Sequence, residues 1–140
     1  MSGPIVVPPG EGEEVTPGGP VVKAPSDLSR DGFTVVENRL PPGANGPPLH
    51  LHRSHDESFF VVEGTVTAIT TGSEQEVGAG GYVFFPRGTP HTLRNRGDVP
   101  VRYLSIGSGG LDRFARELFA AKDDDARRAV YERWETELVD

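Results

Sequence analysis

Short runs of apolar and β-branched residues recur from Phe33 to Ile106, at 33–39, 48–53, 57–63, 65–71, 81–85, 90–95 and 100–106. Between them lie PPGANGPP, RSHD, the single Gly64, TGSEQEVGAG, PRGT and NRGDVP. Strands of this length, broken by Gly, Pro and Asn turns, predict an all-β sandwich or barrel. The stretch VVEGTVTA reads as two strands meeting at Gly64, where a glycine adopts positive φ at little cost. Alternation along 57–63 puts Phe59 and Val61 on the face of Glu57, lining the interior, and turns Phe60 and Val62 the other way.

The period changes after Gly109–Gly110. Leu111, Phe114, Ala115, Leu118 and Phe119 form one apolar stripe at helical spacing, with Asp112 in the first turn. Asp123–Asp125 supply N-cap chemistry for a second helix, whose stripe is Ala126, Ala129, Val130, Trp134 and Leu138. Residues 1–30 are rich in Pro, Gly and Glu, with short apolar scraps at Ile5–Val7 and Val21–Val22. Such a segment buries too little to order alone, so it is expected to be an arm, ordered from about Pro20 onward. The expected division is 1–30 arm, partly disordered, 31–108 barrel and 109–140 helical tail.

Composition narrows the picture. A length of 140 residues fits one domain, and 18 Gly with 13 Pro favour turns over a helical bundle. The net charge of −7 argues against nucleic acid and against an anionic membrane surface, since both need a basic face. Twelve Arg stand against two Lys, a bias that suits carboxylate pairing. With no cysteine, disulfides, thiolate metal sites and Cys nucleophiles are excluded. No apolar run approaches the roughly 18 residues of a membrane span, and the opening MSGPIVVPPGEGEE lacks the pattern of a signal peptide. The expected location is the cytoplasm.

The candidate chemistry starts at His50-Leu51-His52. Side chains at i and i+2 of a strand share a face about 6.6 Å apart, so two imidazoles can lean onto one ion. The polar link Arg53-Ser54-His55-Asp56 can turn the chain and aim Glu57 at the same point. His91 follows the turn Phe-Phe-Pro-Arg-Gly-Thr-Pro, which would return a later strand to the cavity. Three neutral imidazoles and one carboxylate suit one divalent first-row ion (iron, manganese, nickel, cobalt, copper or zinc) with one or two positions left open. His55 reads as a solvated turn residue, with a role behind the ligands or as a gate as the alternative. Tyr82, Phe84, Phe85, Leu93 and Tyr103 are candidates for an apolar pocket. Arg94 and Arg102 read as surface charge, and Asn95 as the fixer of a turn.

These residues resemble those of a small single-domain cupin of the quercetin-dioxygenase-like kind. The first cupin motif, G-x5-H-x-H-x(3,4)-E-x6-G, is met by His50, His52, Glu57 and Gly64. The second, G-x5-P-x-G-x2-H-x3-N, is met by Gly80, Pro86, Gly88, His91 and Asn95. The leading Gly of the first motif falls at Ala44, between Gly43 and Gly46. The resemblance spans residues 40–106 and implies a jelly-roll β-barrel with metal on His50, His52, Glu57 and His91.

What the resemblance implies about activity is a dioxygenase acting on a small enol, phenolic or diketone substrate, with Glu57 alternating between ligand and general base. The alternatives are a redox-neutral, metal-dependent isomerase or polyketide cyclase, and a non-catalytic module that binds a small ligand. Fold alone does not choose among them. Outward apolar positions, the Val-bearing arm and the tail all need a surface to cover. A homodimer packed sheet to sheet with exchanged arms meets that need, and a monomer whose C-terminal helices cover the same face is the rival.

Overall fold

The structure, a computed structural model, describes residues 3–139, so the outermost ends of the expected arm and tail lie outside the described residues. In chain order the strands are β1 (Glu13–Glu14), β2 (Val21–Ala24), β3 (Thr34–Leu40), β4 (His50–His52), β5 (Glu57–Glu63) and β6 (Thr65–Thr70). They continue with β7 (Ser73–Gly78), β8 (Tyr82–Phe85), β9 (Thr92–Arg94) and β10 (Val101–Gly107). Two helices, α1 (Leu111–Ala120) and α2 (Asp124–Arg133), precede a last strand, β11 (Thr136–Leu138).

One sheet runs β1-β2-β3-β10-β5-β8. Opposite it, β7-β6-β9 and the pair β11-β4 are joined where His50 bridges His91, giving a second layer β11-β4-β9-β6-β7. The core between the layers draws on both: Leu40, Phe59, Val61 and Val101 from one, Val66, Ala68 and Leu93 from the other. Full burial of each of these Val, Leu and Phe side chains stabilises the fold by about 1.5–3 kcal/mol. Phe59 and Val61 point into this core while Phe60 is exposed, as the alternation predicts.

The β5–β6 turn requires its glycine. Gly64 has φ of +81°, and a Cβ there would stand 2.7 Å from the Pro100 carbonyl oxygen. The seven expected strands all form, within a few residues of the expected bounds. An eighth, β7, arises inside the stretch read as a turn. Its sequence SEQEVG has no buried face to produce alternation, and only pairing with β6 makes it a strand. The arm also differs from a free tail, because β2 pairs with β3 of its own chain and β1 with β2.

The tail departs from a purely helical one. Asp123 caps α2 as expected, its Oδ1 accepting from the Ala126 N–H at 2.7 Å. The helix ends at Arg133, however, Glu135 takes a positive φ of 49°, and residues 136–138 pair with β4 instead of continuing the stripe to Leu138. An open strand edge at β4 offers three residues' worth of backbone partners that a frayed last turn of helix does not. No helix among the described residues is long and apolar enough to cross a membrane.

Candidate metal centre

Both edges of β4 are paired: β11 on one side, and on the other the reciprocal bonds His50 N–H to His91 O (3.2 Å) and His91 N–H to His50 O (2.7 Å). That pairing fixes the strand's pleat and turns His50 and His52 to the interior. The turn before His91 is tied to the same strand, since the Gly88 N–H donates to His52 O at 2.8 Å. Asp56, in the link before β5, accepts from the Arg87 N–H at 3.0 Å and so joins the turns that lead to Glu57 and His91. Glu57 opens β5 in the opposite sheet. Three imidazoles from one layer therefore face one carboxylate from the other.

One donor atom from each of His50, His52, Glu57 and His91 lies within 4.8 Å of every other. Donors about 2.0–2.2 Å from a common ion sit at most roughly 4.4 Å apart, so a contraction of a few tenths of an ångström would close the set. All four side chains are buried. The outer nitrogens are already committed. His50 Nδ1 donates to Pro48 O at 2.7 Å and His91 Nδ1 to Thr89 O at 2.9 Å. His52 Nδ1 donates to Thr136 Oγ1 at 2.8 Å, the threonine hydroxyl itself donating to Trp134 O. Carbonyl oxygens only accept, so each Nδ1 carries the hydrogen and each neutral ring keeps its Nε2 lone pair for the centre.

That assignment leaves a conflict that a cation resolves. Glu57 Oε1 lies 3.1 Å from His52 Nε2 and 3.0 Å from His91 Nε2. Lone pairs at that separation repel unless a proton or a metal ion stands among them. Burial pushes the His50 imidazole down to about 4, helped by neighbouring His91 and His52, so this ring is neutral at physiological pH. Burial acts to raise the Glu57 carboxyl, but where a proton takes that place the bonds from His52 and His91 outweigh it and hold the group well below the usual carboxylate range. Burial likewise acts to lower His91, and the bond to Glu57 raises it. A carboxylate facing three imidazoles, with the outer nitrogens of the rings anchored, is the donor set a divalent first-row ion takes.

The centre opens into a cavity of about 160 Å³ lined largely by apolar side chains, among them Phe59, Leu93, Phe114 and Leu118. Helix α1 forms one wall, with the Phe114 ring edge-on to His52 at 5.4 Å. Helix α1 thus covers the cavity, and the outer face of the main sheet is left open, with Tyr82 and Phe84 55% and 51% exposed. Those two residues were expected in the pocket. Their registry with Phe60 and Ser58 places them on the outward face instead. Phe85, Leu93 and Tyr103 do face inward, Phe85 stacking on His91 at 4.7 Å.

His55 is a correction. It is 1% exposed rather than solvated, stacked on His52 at 4.1 Å, and its Nε2 has no hydrogen-bond partner. A turn residue became buried because α1 and the β10–α1 connection close over it, Phe114 lying 6.1 Å away. Arg102 pairs with Glu37 and Glu63 on the outer face, and Asn95 braces its turn through Leu40 O, Val99 O and the Gly97 N–H. Thr136 carries no sequence signal for its part in the site. It lies 84 residues from His52 and in a stretch that reads as helix.

Residues 36–107 match the cupin domain family. Germin-like protein 5-1 of Oryza sativa is 33% identical over 118 residues, covering 79% of this chain and 52% of that protein. Quercetin 2,3-dioxygenase of Bacillus subtilis is 28% identical over 92 residues, covering 65% of this chain and 27% of the enzyme. The chain thus spans about half or less of the length of these relatives. Among solved structures, a sugar phosphate isomerase of the cupin superfamily from Silicibacter pomeroyi superposes with a TM-score of 0.56. It is 30% identical, with 65% of this chain and 60% of that one covered. Fold, motif and the match over more than half of the sequence agree, and the chain belongs to the cupin family.

Proposed function

We propose that the protein is a metal-dependent dioxygenase acting on a small enol, phenolic or diketone substrate, with His50, His52, Glu57 and His91 as the ligands. The observation that carries this reading is the convergence of three Nε2 atoms and one carboxylate at the end of an apolar cavity. A redox-capable divalent ion bound there would supply coordination of the substrate oxygens and reaction with O₂. The chain's own residues do the rest. Glu57, which lines the cavity, takes the acidic enol or phenol proton when it alternates between ligand and base. Phe59, Leu93, Phe114 and Leu118 exclude water and favour an apolar ring or short chain over a hydrophilic one.

The isomerase alternative draws support from the likeness to the sugar phosphate isomerase. An apolar chamber of about 160 Å³ suits a sugar phosphate poorly, because the hydroxyls and phosphate of such a molecule would lose water without replacement partners. The homodimer reading rests on the open outer face of the main sheet, where Phe60, Tyr82 and Phe84 are exposed together.

Elemental analysis of protein purified without nickel resin, with O₂ uptake in the presence of a flavonol and a simple β-diketone, tests the reading. About one equivalent of iron, manganese or nickel with substrate-dependent uptake is expected, and both are lost in His50→Ala and His91→Ala. Stoichiometric zinc with no uptake would favour the Lewis-acid alternative. Full metal content in the two alanine variants would overturn the ligand set.

A further inference from the structure

The wall of the cavity formed by β3 and β10 breaks the apolar lining with three polar side chains, Asn38, Tyr103 and Ser105. Their registry makes them neighbours. Asn38 lies directly across from Tyr103, and Ser105 is two residues further along β10. Asn38 Nδ2 donates to Val36 O and to Ser105 Oγ, each at 3.1 Å. These bonds fix the orientation of the amide, leaving its Oδ1 free to accept and the Ser105 hydroxyl hydrogen free to donate. The Tyr103 phenol lines both the inner chamber and a wider vestibule of about 680 Å³ outside it. Burial, with the Glu57 charge adding, pushes that phenol above its ordinary range, so it stays a protonated donor.

Registry also gives the separation. Glu57 pairs with Gly107, and Ser105 with Phe59, so the Ser105 layer lies one side-chain step, about 6.7 Å of strand, from the Glu57 layer. An apolar protein cavity near 150 Å³ takes one benzene ring, and the chamber here is about 160 Å³. A single ring spans the gap between the metal centre and Ser105, to which the Asn38 amide is bonded, and Tyr103 stands one step further out.

We propose that Asn38, Tyr103 and Ser105 form a second recognition site, which binds a hydroxyl or carbonyl oxygen at the end of the substrate remote from the metal. The substrate class follows, resting on the reading of the centre as one that binds an oxygen pair. It is a one-ring molecule with two adjacent oxygens at one end and a further oxygen across the ring. Tyr103 and Ser105 donate to that oxygen, and Asn38 Oδ1 accepts from it when it carries a hydrogen. A buried site built for such an oxygen disfavours the analogue that lacks it, because its own polar groups are then left without partners.

The test compares catechol with 1,2,4-trihydroxybenzene on the cobalt(II)-loaded full chain under anaerobic conditions, read by the visible spectrum of the metal. The third hydroxyl is expected to tighten binding about tenfold. Tyr103→Phe and Ser105→Ala should each cut that ratio severalfold. Using the ratio within each variant cancels any general loss of affinity, and cobalt stoichiometry reports whether the variant folds. If catechol shifts the spectrum and the third hydroxyl adds nothing, or the ratio survives both variants, the polar wall is not a recognition site while the metal reading stands. If the loaded protein responds to neither phenol, the one-ring class is wrong and this proposal falls with it. O₂ uptake on other substrates remains the separate measure of the oxygenase reading.

Discussion

Thr136→Val isolates what the last strand does for the metal centre. The substitution keeps the shape of a buried side chain and removes the oxygen that accepts from His52 Nδ1 at 2.8 Å. Two outcomes are open to the imidazole. It can keep its Nδ1 hydrogen unpaired in the interior, which costs about 1–3 kcal/mol. Otherwise it moves that hydrogen to Nε2 and gives up the lone pair the centre needs. The tautomer shift must be reversed before a metal binds, so its cost falls on metal affinity, and loss of a hydrogen bond that orients a ligating histidine typically weakens binding 10–100-fold. That range corresponds to about 1.4–2.7 kcal/mol. A titration of the metal-free protein with zinc or cobalt against a competing chelator measures it, and Thr136→Ser, which keeps the hydroxyl, should stay close to the parent. Affinity of Thr136→Val within twofold of the parent would refute the reasoning, as would equal losses in the serine and valine variants.

Acid should destabilise the metal-free protein. His50 and His55, held to about 4 by burial and by the neighbouring His52 and His91, titrate near 6.5 once unfolded. The unfolded chain therefore binds protons that the native one refuses, and stability present above pH 6.5 is lost as the pH falls towards 4. The loss is up to roughly 3 kcal/mol for each ring, offset in part by His91, which is raised and works in the opposite sense. Urea midpoints across that range measure this, and a flat profile would contradict it. Gly64→Ala should cost more than 2 kcal/mol, since positive φ alone costs about 1–2 kcal/mol and the new Cβ meets the Pro100 carbonyl oxygen, and unchanged thermal unfolding would exclude this account. On the homodimer reading, Phe60→Asp and Phe84→Asp should sediment as monomers where the parent sediments as a dimer, with no change in the metal each takes up. A monomeric parent would remove the dimer from the reading.

The sequence by itself determined seven of the eight strands between 34 and 107, the interior face of Glu57, Phe59 and Val61, the cap at Asp123 and the shared face of His50 and His52. Each of these is local. Alternation says which residues share a face, and the i, i+2 spacing of His50 and His52 says they share one in any sheet that contains them. Tertiary structure decided what depends on partners far along the chain. SEQEVG is a strand because β6 has an edge to fill, and residues 136–138 are a strand because β4 does. Tyr82 and Phe84 face outward because registry with β5 sets the parity of β8, and an apolar side chain gives no sign of which face of a sheet will be covered. His55 is buried because the β10–α1 connection and α1 pack over its turn, and Thr136 reaches His52 across 84 residues. A pattern of side chains records how a segment divides its own faces, whereas strand edges and covered faces belong to pairs of segments and exist only once the chain has brought those pairs together.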